Sequence, residues 1–211
     1  MTQQRQSPLA TDEQLLAVLE RARAVGFLGP GPLRVHLDHA RSYGAQIPAS
    51  ARSLVDLGSG GGLPGLPLLA DHTHLRGVLL DAASKRTAFL VWAAVELGLA
   101  DRVDVVTARA EQAAHDRLHR CRYDVVVCRG FGPPALTLEC SAGFVADDGR
   151  LLISEPPDRR RWNNAVLAEI GLGHETTSEG VAVFRRIAPP PDATPRSYKR
   201  MQKQPLEVER A

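Results

Sequence analysis

The sequence predicts a doubly wound α/β domain, a parallel sheet that ends in an antiparallel hairpin and is preceded by two helices. Three observations carry this. From Ser53 onward, short apolar runs alternate with longer helical ones, the pattern of strands buried on both faces and joined by crossover helices. The turn Gly58-Ser59-Gly60-Gly61-Gly62 follows the first apolar run directly, where open α/β sheets place a ligand-binding turn. Near the C-terminus, two strand-like runs are separated only by Ser178-Glu179-Gly180, a link with the length and composition of a hairpin turn.

The elements follow in order. Thr11-Asp12-Glu13-Gln14 forms a capping box, in which the threonine hydroxyl and Gln14 satisfy each other's backbone N–H groups. Leu15, Val18, Leu19, Ala22 and Val25 then recur at helical spacing, and Gly26 closes the helix. Pro32 suits the first turn of a second helix reaching Tyr43. Strands are expected over 53–57, 77–80, 103–107, 123–128 and 151–154, with helices over 63–70, 84–97, 110–118, 134–144 and 160–170. Runs 174–177 and 181–187 make the hairpin. The expected organisation is one domain over 1–211: a helical appendage (1–50), a core (51–188) and a basic, Pro-rich tail along the surface (189–211).

Composition narrows the function. Apolar residues make up 44% and charged residues 24% of the 211 residues, ordinary values for a globular chain. A net charge of +2 argues against a wholly basic nucleic-acid glove and leaves local basic patches open. Cys121, Cys128 and Cys140 show no C-x-x-C spacing and read as reduced core thiols. No apolar run has the length of a membrane span and residues 1–10 lack a signal-peptide core, so a cytoplasmic location is expected. His115 and His119 stand at i, i+4 without an evident third ligand, so no metal is expected.

The sharpest motif is Leu54-Val55-Asp56-Leu57-Gly58-Ser59-Gly60-Gly61-Gly62. Its glycines permit positive φ and let a ligand approach bare backbone. A dinucleotide fingerprint would want a sixth-position glycine, where Leu63 stands, and a phosphate loop would want a following lysine. Asp56 also disfavours an anionic pyrophosphate. Asp81 ends the second strand, where an acid accepts from both ribose hydroxyls of an adenosine or caps the next helix. Ala110 and Glu111 follow the third strand, placed to edge an adenine or to serve the helix dipole. Arg129 ends the fourth strand, placed to hold a carboxylate, steer a polar substrate or meet solvent.

These motifs carry a resemblance. Asp56-Leu57-Gly58-Ser59-Gly60-Gly61-Gly62-Leu63-Pro64-Gly65-Leu66-Pro67-Leu68 is similar to the signature of the RsmG (GidB) family, the bacterial guanine-N7 methyltransferases of small-subunit (16S) ribosomal RNA. Asp81-Ala82-Ala83-Ser84-Lys85-Arg86, Arg109-Ala110-Glu111, Arg129, Pro195-Arg196 and Lys203-Gln204-Pro205-Leu206 also match. The resemblance implies a class I, Rossmann-like fold and S-adenosyl-L-methionine as cofactor. It implies ribosomal RNA or the small subunit as partner; that no membrane and no metal are expected comes from the residues themselves. Cofactor contacts would fall on Gly58, Leu63, Ala110, Glu111 and Arg129, to which the reading of the residues adds Gly60 and Asp81. No general base is expected, because guanine N7 carries a lone pair and no proton.

Two departures bear on the substrate. Gly130-Phe131-Gly132 stands where the family has Ala-x-Ala, and Ser154-Glu155-Pro156-Pro157 stands where it has Lys-Gly. Phe131 is placed to stack on a target base or to fill core. Arg159-Arg160-Arg161-Trp162 and the tail cations Arg196, Lys199, Arg200 and Lys203 are the candidate RNA contacts, weighed against a solvated charged face with Trp162 in the core. A small-molecule methyltransferase and a non-catalytic cofactor- or RNA-binding protein are the alternatives.

Overall fold

In the computed structural model, which describes residues 10–155 and 162–208, alternate residues of each strand feed two separate apolar layers. Five strands run β1 Ser53–Leu57, β2 Arg76–Asp81, β3 Val103–Thr107, β4 Tyr123–Cys128 and β5 Val145–Ser154, followed by β6 Leu172–Ser178 and β7 Val181–Arg186. They form one seven-stranded sheet in the order β3-β2-β1-β4-β5-β7-β6. The first five are parallel neighbours, whereas β7 runs antiparallel to both β5 and β6. The chain order reverses between β1 and β4, a switch point that opens a crevice at the strand ends.

Helices α1 Asp12–Ala24, α2 Leu33–Ser42, α3 Gly65–Asp71 and α4 Ser84–Glu96 cover one face. Leu54, Leu79, Val125 and Val127 meet Leu15, Leu37, Leu66 and Leu90 there, so the N-terminal helices share the sheet's own core. The opposite face takes Val55, Leu57, Val126 and Leu151 against α5 Ala110–Ala113, α6 Pro134–Ala142 and α7 Asn164–Glu169. The Thr11–Gln14 capping box forms in full, and Gly26 follows α1 at φ 75°. The hairpin turns at Glu179 and Gly180, both at positive φ, as a tight two-residue link requires.

Among the differences from the sequence pattern, which also include α7 beginning at Asn164 and β6 at Leu172, three have a tertiary reason. α5 stops at Ala113, and the two histidines expected to continue it take separate partners: His115 Nε2 lies 2.8 Å from Pro195 O, and His119 Nδ1 lies 2.6 Å from Tyr123 Oη. β5 starts at Val145, because that residue pairs with Tyr123 across a register shift and carries the polar Asp147-Asp148-Gly149 into the strand. The tail is no plain wrap. It turns into α8 Tyr198–Lys203 and buries Met201 and Val208 beside the second layer.

Arg196 anchors this segment. Its Nε and Nη2 donate to Glu139 Oε1 and Oε2 at 2.7 and 2.6 Å, and its backbone N–H donates to Oε1 at 2.9 Å. Glu139 is only 2% exposed, so Arg196 is not a free tail cation: its guanidinium is held by a buried carboxylate. Trp162 is likewise removed from the RNA candidates, since it is buried edge-on against Phe184 at 5.0 Å. Arg159, Arg160 and Arg161 lie outside the described residues.

Cys128 and Cys140 are buried free thiols, and Cys121 is free but only half-buried, at φ 55°. Among the described residues, no helix is long and apolar enough to cross a membrane, and no group of three or more His, Cys, Asp or Glu is placed to hold a metal.

Candidate active site

The ends of β1, β2 and β3 are stitched together by backbone. Gly58 and Ser59 N–H both donate to Leu80 O, at 2.8 and 3.0 Å, and Ala108 N–H donates to Asp81 O at 3.1 Å. Asp81 is 3% exposed and ties the glycine turn to the start of α4. Its Oδ2 accepts from Gly60 N–H at 3.0 Å and its Oδ1 from Ala83 N–H at 2.9 Å. Arg86 Nη1 stands 3.5 Å from Oδ2. A carboxylate has about four acceptor sites, so Asp81 retains capacity for a ligand after both backbone bonds.

These strand ends floor a cleft of ≈ 670 Å³, open solvent at its mouth included. Gly58, Leu80 and Asp81 form the base, Ala108, Arg109, Ala110 and Glu111 one wall, and Gly130, Phe131 and Leu136 the other. Tyr198 of α8 also lines it. Gly58 has φ 71°, and a Cβ there would lie 2.7 Å from Phe131 Cδ2, so the absence of a side chain is what lets the Phe131 ring lie over the turn. Phe131 is half-buried and packed against the apolar layer, which leaves part of its ring facing the cleft.

The structure thus brings Gly58, Asp81, Ala110 and Glu111 together around one space. Gly60 reaches it through its bond to Asp81. Leu63 is 6% exposed and packs into the first apolar layer, outside the cleft lining. Arg129 points toward α2. Its Nη2 donates to His36 Nδ1 at 2.6 Å, while His36 Nε2 lies 3.0 Å from Pro30 O. Burial lowers the Arg129 pKa. Two contributors escaped the motif reading. His36 lies far from any glycine motif, and Tyr198 lies in the tail, where only its aromatic character stands out.

Asp56 sits beneath the start of α3. Its Oδ2 accepts from Gly65 N–H at 3.0 Å, and its Oδ1 is buried without a hydrogen-bond partner. Burial pushes this carboxyl up to about 7, against the Gly65 bond that favours ionisation. The folded protein therefore keeps a proton that the unfolded chain releases between 3.8 and about 7. Stability should fall as pH rises through that window and level off above it. Urea unfolding at several pH values reads this slope. Asp56→Asn should flatten it, and an unchanged slope would assign the effect to other groups.

A seven-stranded sheet with an antiparallel β7, a glycine turn after β1 and an acid-edged cleft beyond the strand ends is the class I methyltransferase fold. Solved structures agree in fold: a methyltransferase from Geobacter sulfurreducens superposes with TM-score 0.61 at 17% identity, covering 83% of this chain and 90% of that one. A SAM-dependent methyltransferase from Thiobacillus denitrificans, in complex with S-adenosyl-L-homocysteine, does so with TM-score 0.50 at 22% identity, covering 72% and 60%. The family model for rRNA small subunit methyltransferase G (GidB) matches residues 36–155. Ribosomal RNA small subunit methyltransferase G of Roseiflexus castenholzii is 35% identical over 165 residues, covering 72% of this chain and 70% of that protein. The same-named protein of Prochlorococcus marinus is 30% identical over 178 residues, covering 76% and 70%. The chain belongs to the ribosomal RNA small subunit methyltransferase G family.

Proposed function

We propose that this chain methylates N7 of a guanine in small-subunit (16S) ribosomal RNA, using S-adenosyl-L-methionine. The observation that carries the reading is the family match over 36–155, which contains the glycine turn, the acid-edged strand ends and Arg129. A substrate in the small ribosomal subunit puts the activity in the bacterial cytoplasm.

The cleft suits the cofactor. Asp81 has free acceptor capacity for ribose hydroxyls, Ala110 and Glu111 flank the adenine end, and the bare Gly58 backbone admits close approach. Gly60 supports Asp81 and Leu63 holds the turn from the core side, while Arg129, just past β4, is held by His36 outside the cleft lining and would have to leave that partner to meet the cofactor carboxylate. When bound, this cofactor supplies an electrophilic methyl group on a sulfonium. Guanine N7 presents a lone pair and no proton, so the chain has no proton to remove there. What the protein contributes is alignment and exclusion of water.

Cysteine nucleophilic chemistry does not fit. The Cys128 Sγ is buried 3.3 Å from Ser141 Oγ, and burial pushes its thiol well above the usual range. The Cys140 thiol is pushed up to about 12 for the same reason. Thiols held protonated are poor nucleophiles. Glu155, the residue most at odds with an RNA substrate, is 7% exposed and so adds little charge to the outer surface.

The test uses methyl-labelled cofactor with small ribosomal subunits from a strain lacking this activity, beside a small-metabolite extract. Label should enter the ribosomal RNA, at a position cleaved by reduction and aniline as 7-methylguanosine is. Cys128→Ala should keep this transfer. Label only in small metabolites, or a folded Cys128→Ala without turnover, would overturn the reading.

A further inference from the structure

We infer that Tyr198 is a cofactor-contacting residue: its ring, backed by Arg109, is the wall on which the adenine stacks. This rests on the cofactor reading above and extends it to α8, outside the segment matched by the family model.

Three observations converge. Tyr198 lines the same cleft as Asp81 and stands beside the wall of Ala108, Arg109, Ala110 and Glu111 through its contact with Arg109. The Arg109 guanidinium lies 4.5 Å from the Tyr198 ring centroid, covering one face of the ring. A cation on one face favours a planar, electron-rich group on the other. Glu111 Oε1 accepts from Arg109 Nε at 2.5 Å, so the backing layer is close to neutral, as suits an uncharged adenine.

A neighbouring hollow of ≈ 990 Å³, open solvent included, is lined also by His115, Arg196 and Lys199 and shares Arg109, Glu111 and Tyr198 with the cleft. The Tyr198 ring therefore borders both spaces. α8 is held firmly enough to present it. Met201 is buried, Arg196 is clamped to Glu139, and Arg120 Nη1 donates to Thr194 O at 2.7 Å.

Titration calorimetry with S-adenosylhomocysteine and with methylthioadenosine tests this. Tyr198→Ala should weaken both ligands by roughly tenfold, within the range that loss of one base–aromatic stack allows. The two losses should match, because the ligands share the adenosine and differ at the methionyl end. Tyr198→Phe should bind within about twofold of the parent chain, since it keeps the ring. A folded Tyr198→Ala that binds both as well as the parent overturns the assignment, as does a Tyr198→Phe that loses as much as the alanine variant. A parent chain that binds neither ligand overturns the cofactor reading itself, and this inference with it. A second measurement needs no variant. Of the three tyrosines, Tyr43 and Tyr123 are buried and Tyr198 is 39% exposed, so tetranitromethane should nitrate Tyr198 selectively. Saturating S-adenosylhomocysteine should protect it, and unchanged nitration would count against the stack.

Discussion

Asp81→Ala is expected to bind S-adenosylmethionine roughly a hundredfold more weakly, a loss near 3 kcal/mol at the upper end for hydrogen bonds to a charged group. Two effects add. On the proposed reading, the ribose hydroxyls lose an ionised acceptor. The backbone N–H groups of Gly60 and Ala83 also lose theirs, which loosens the glycine turn against the start of α4. Asp81→Asn separates the two, because its amide keeps one acceptor oxygen and puts a donor toward one of the two backbone N–H groups. It should fall between the parent and the alanine variant. The affinity loss should appear in KM for the cofactor more than in kcat under saturation. Calorimetry showing parental affinity in a folded Asp81→Ala would remove Asp81 from the site.

Gly65→Ala should strongly destabilise the chain, because there is no space for an added methyl at the start of α3. A Cβ at Gly65 would lie 2.6 Å from both Asp56 Oδ2 and Leu79 Cδ2. Neither neighbour can retreat, since Asp56 and Leu79 are both fully buried. Relief would require breaking the Gly65–Asp56 bond or shifting α3 off the sheet. A cost of roughly 3 kcal/mol is expected, the upper range for an added methyl in a close-packed interior. Gly29→Ala is the matched control: its Cβ meets nothing within 4 Å, and its φ is not in the left-handed region. Urea unfolding of the pair should separate them by more than about 2 kcal/mol, and equal midpoints would show that α3 is free to move.

What could be read from sequence was what is encoded locally. The capping box, the closing Gly26, the glycine turn and the Glu179-Gly180 hairpin each depend on residues within a few positions. Asp81 was legible because strand-end acids hold a fixed relation to a preceding glycine turn in this topology. The parts that escaped depend on partners distant in the chain. α5 looked longer because His115 and His119 continue a helical period, yet Pro195 and Tyr123 draw them aside. Arg196 looked like one of several free tail cations, because nothing near it indicates that Glu139 is buried opposite. Tyr198 carried no motif, and its place follows only from how the tail returns across α5 and α6.

The pairing of Glu139 with Arg196 has a consequence for how the domain is made. The carboxylate belongs to α6, and its counter-ion arrives 57 residues later. On the ribosome, α6 therefore emerges with an acid that must enter an apolar layer before any cation is available to meet it. An unpaired buried charge is strongly unfavourable, so α6 cannot settle while the chain is short. Docking of α6 and its pairing with Arg196 are thus expected to be coupled to the packing of the segment that carries Arg196, Tyr198 and Met201. The acid and the cation of this pair join one layer of the domain to a segment synthesised well after it, so that layer and segment are expected to order as one unit.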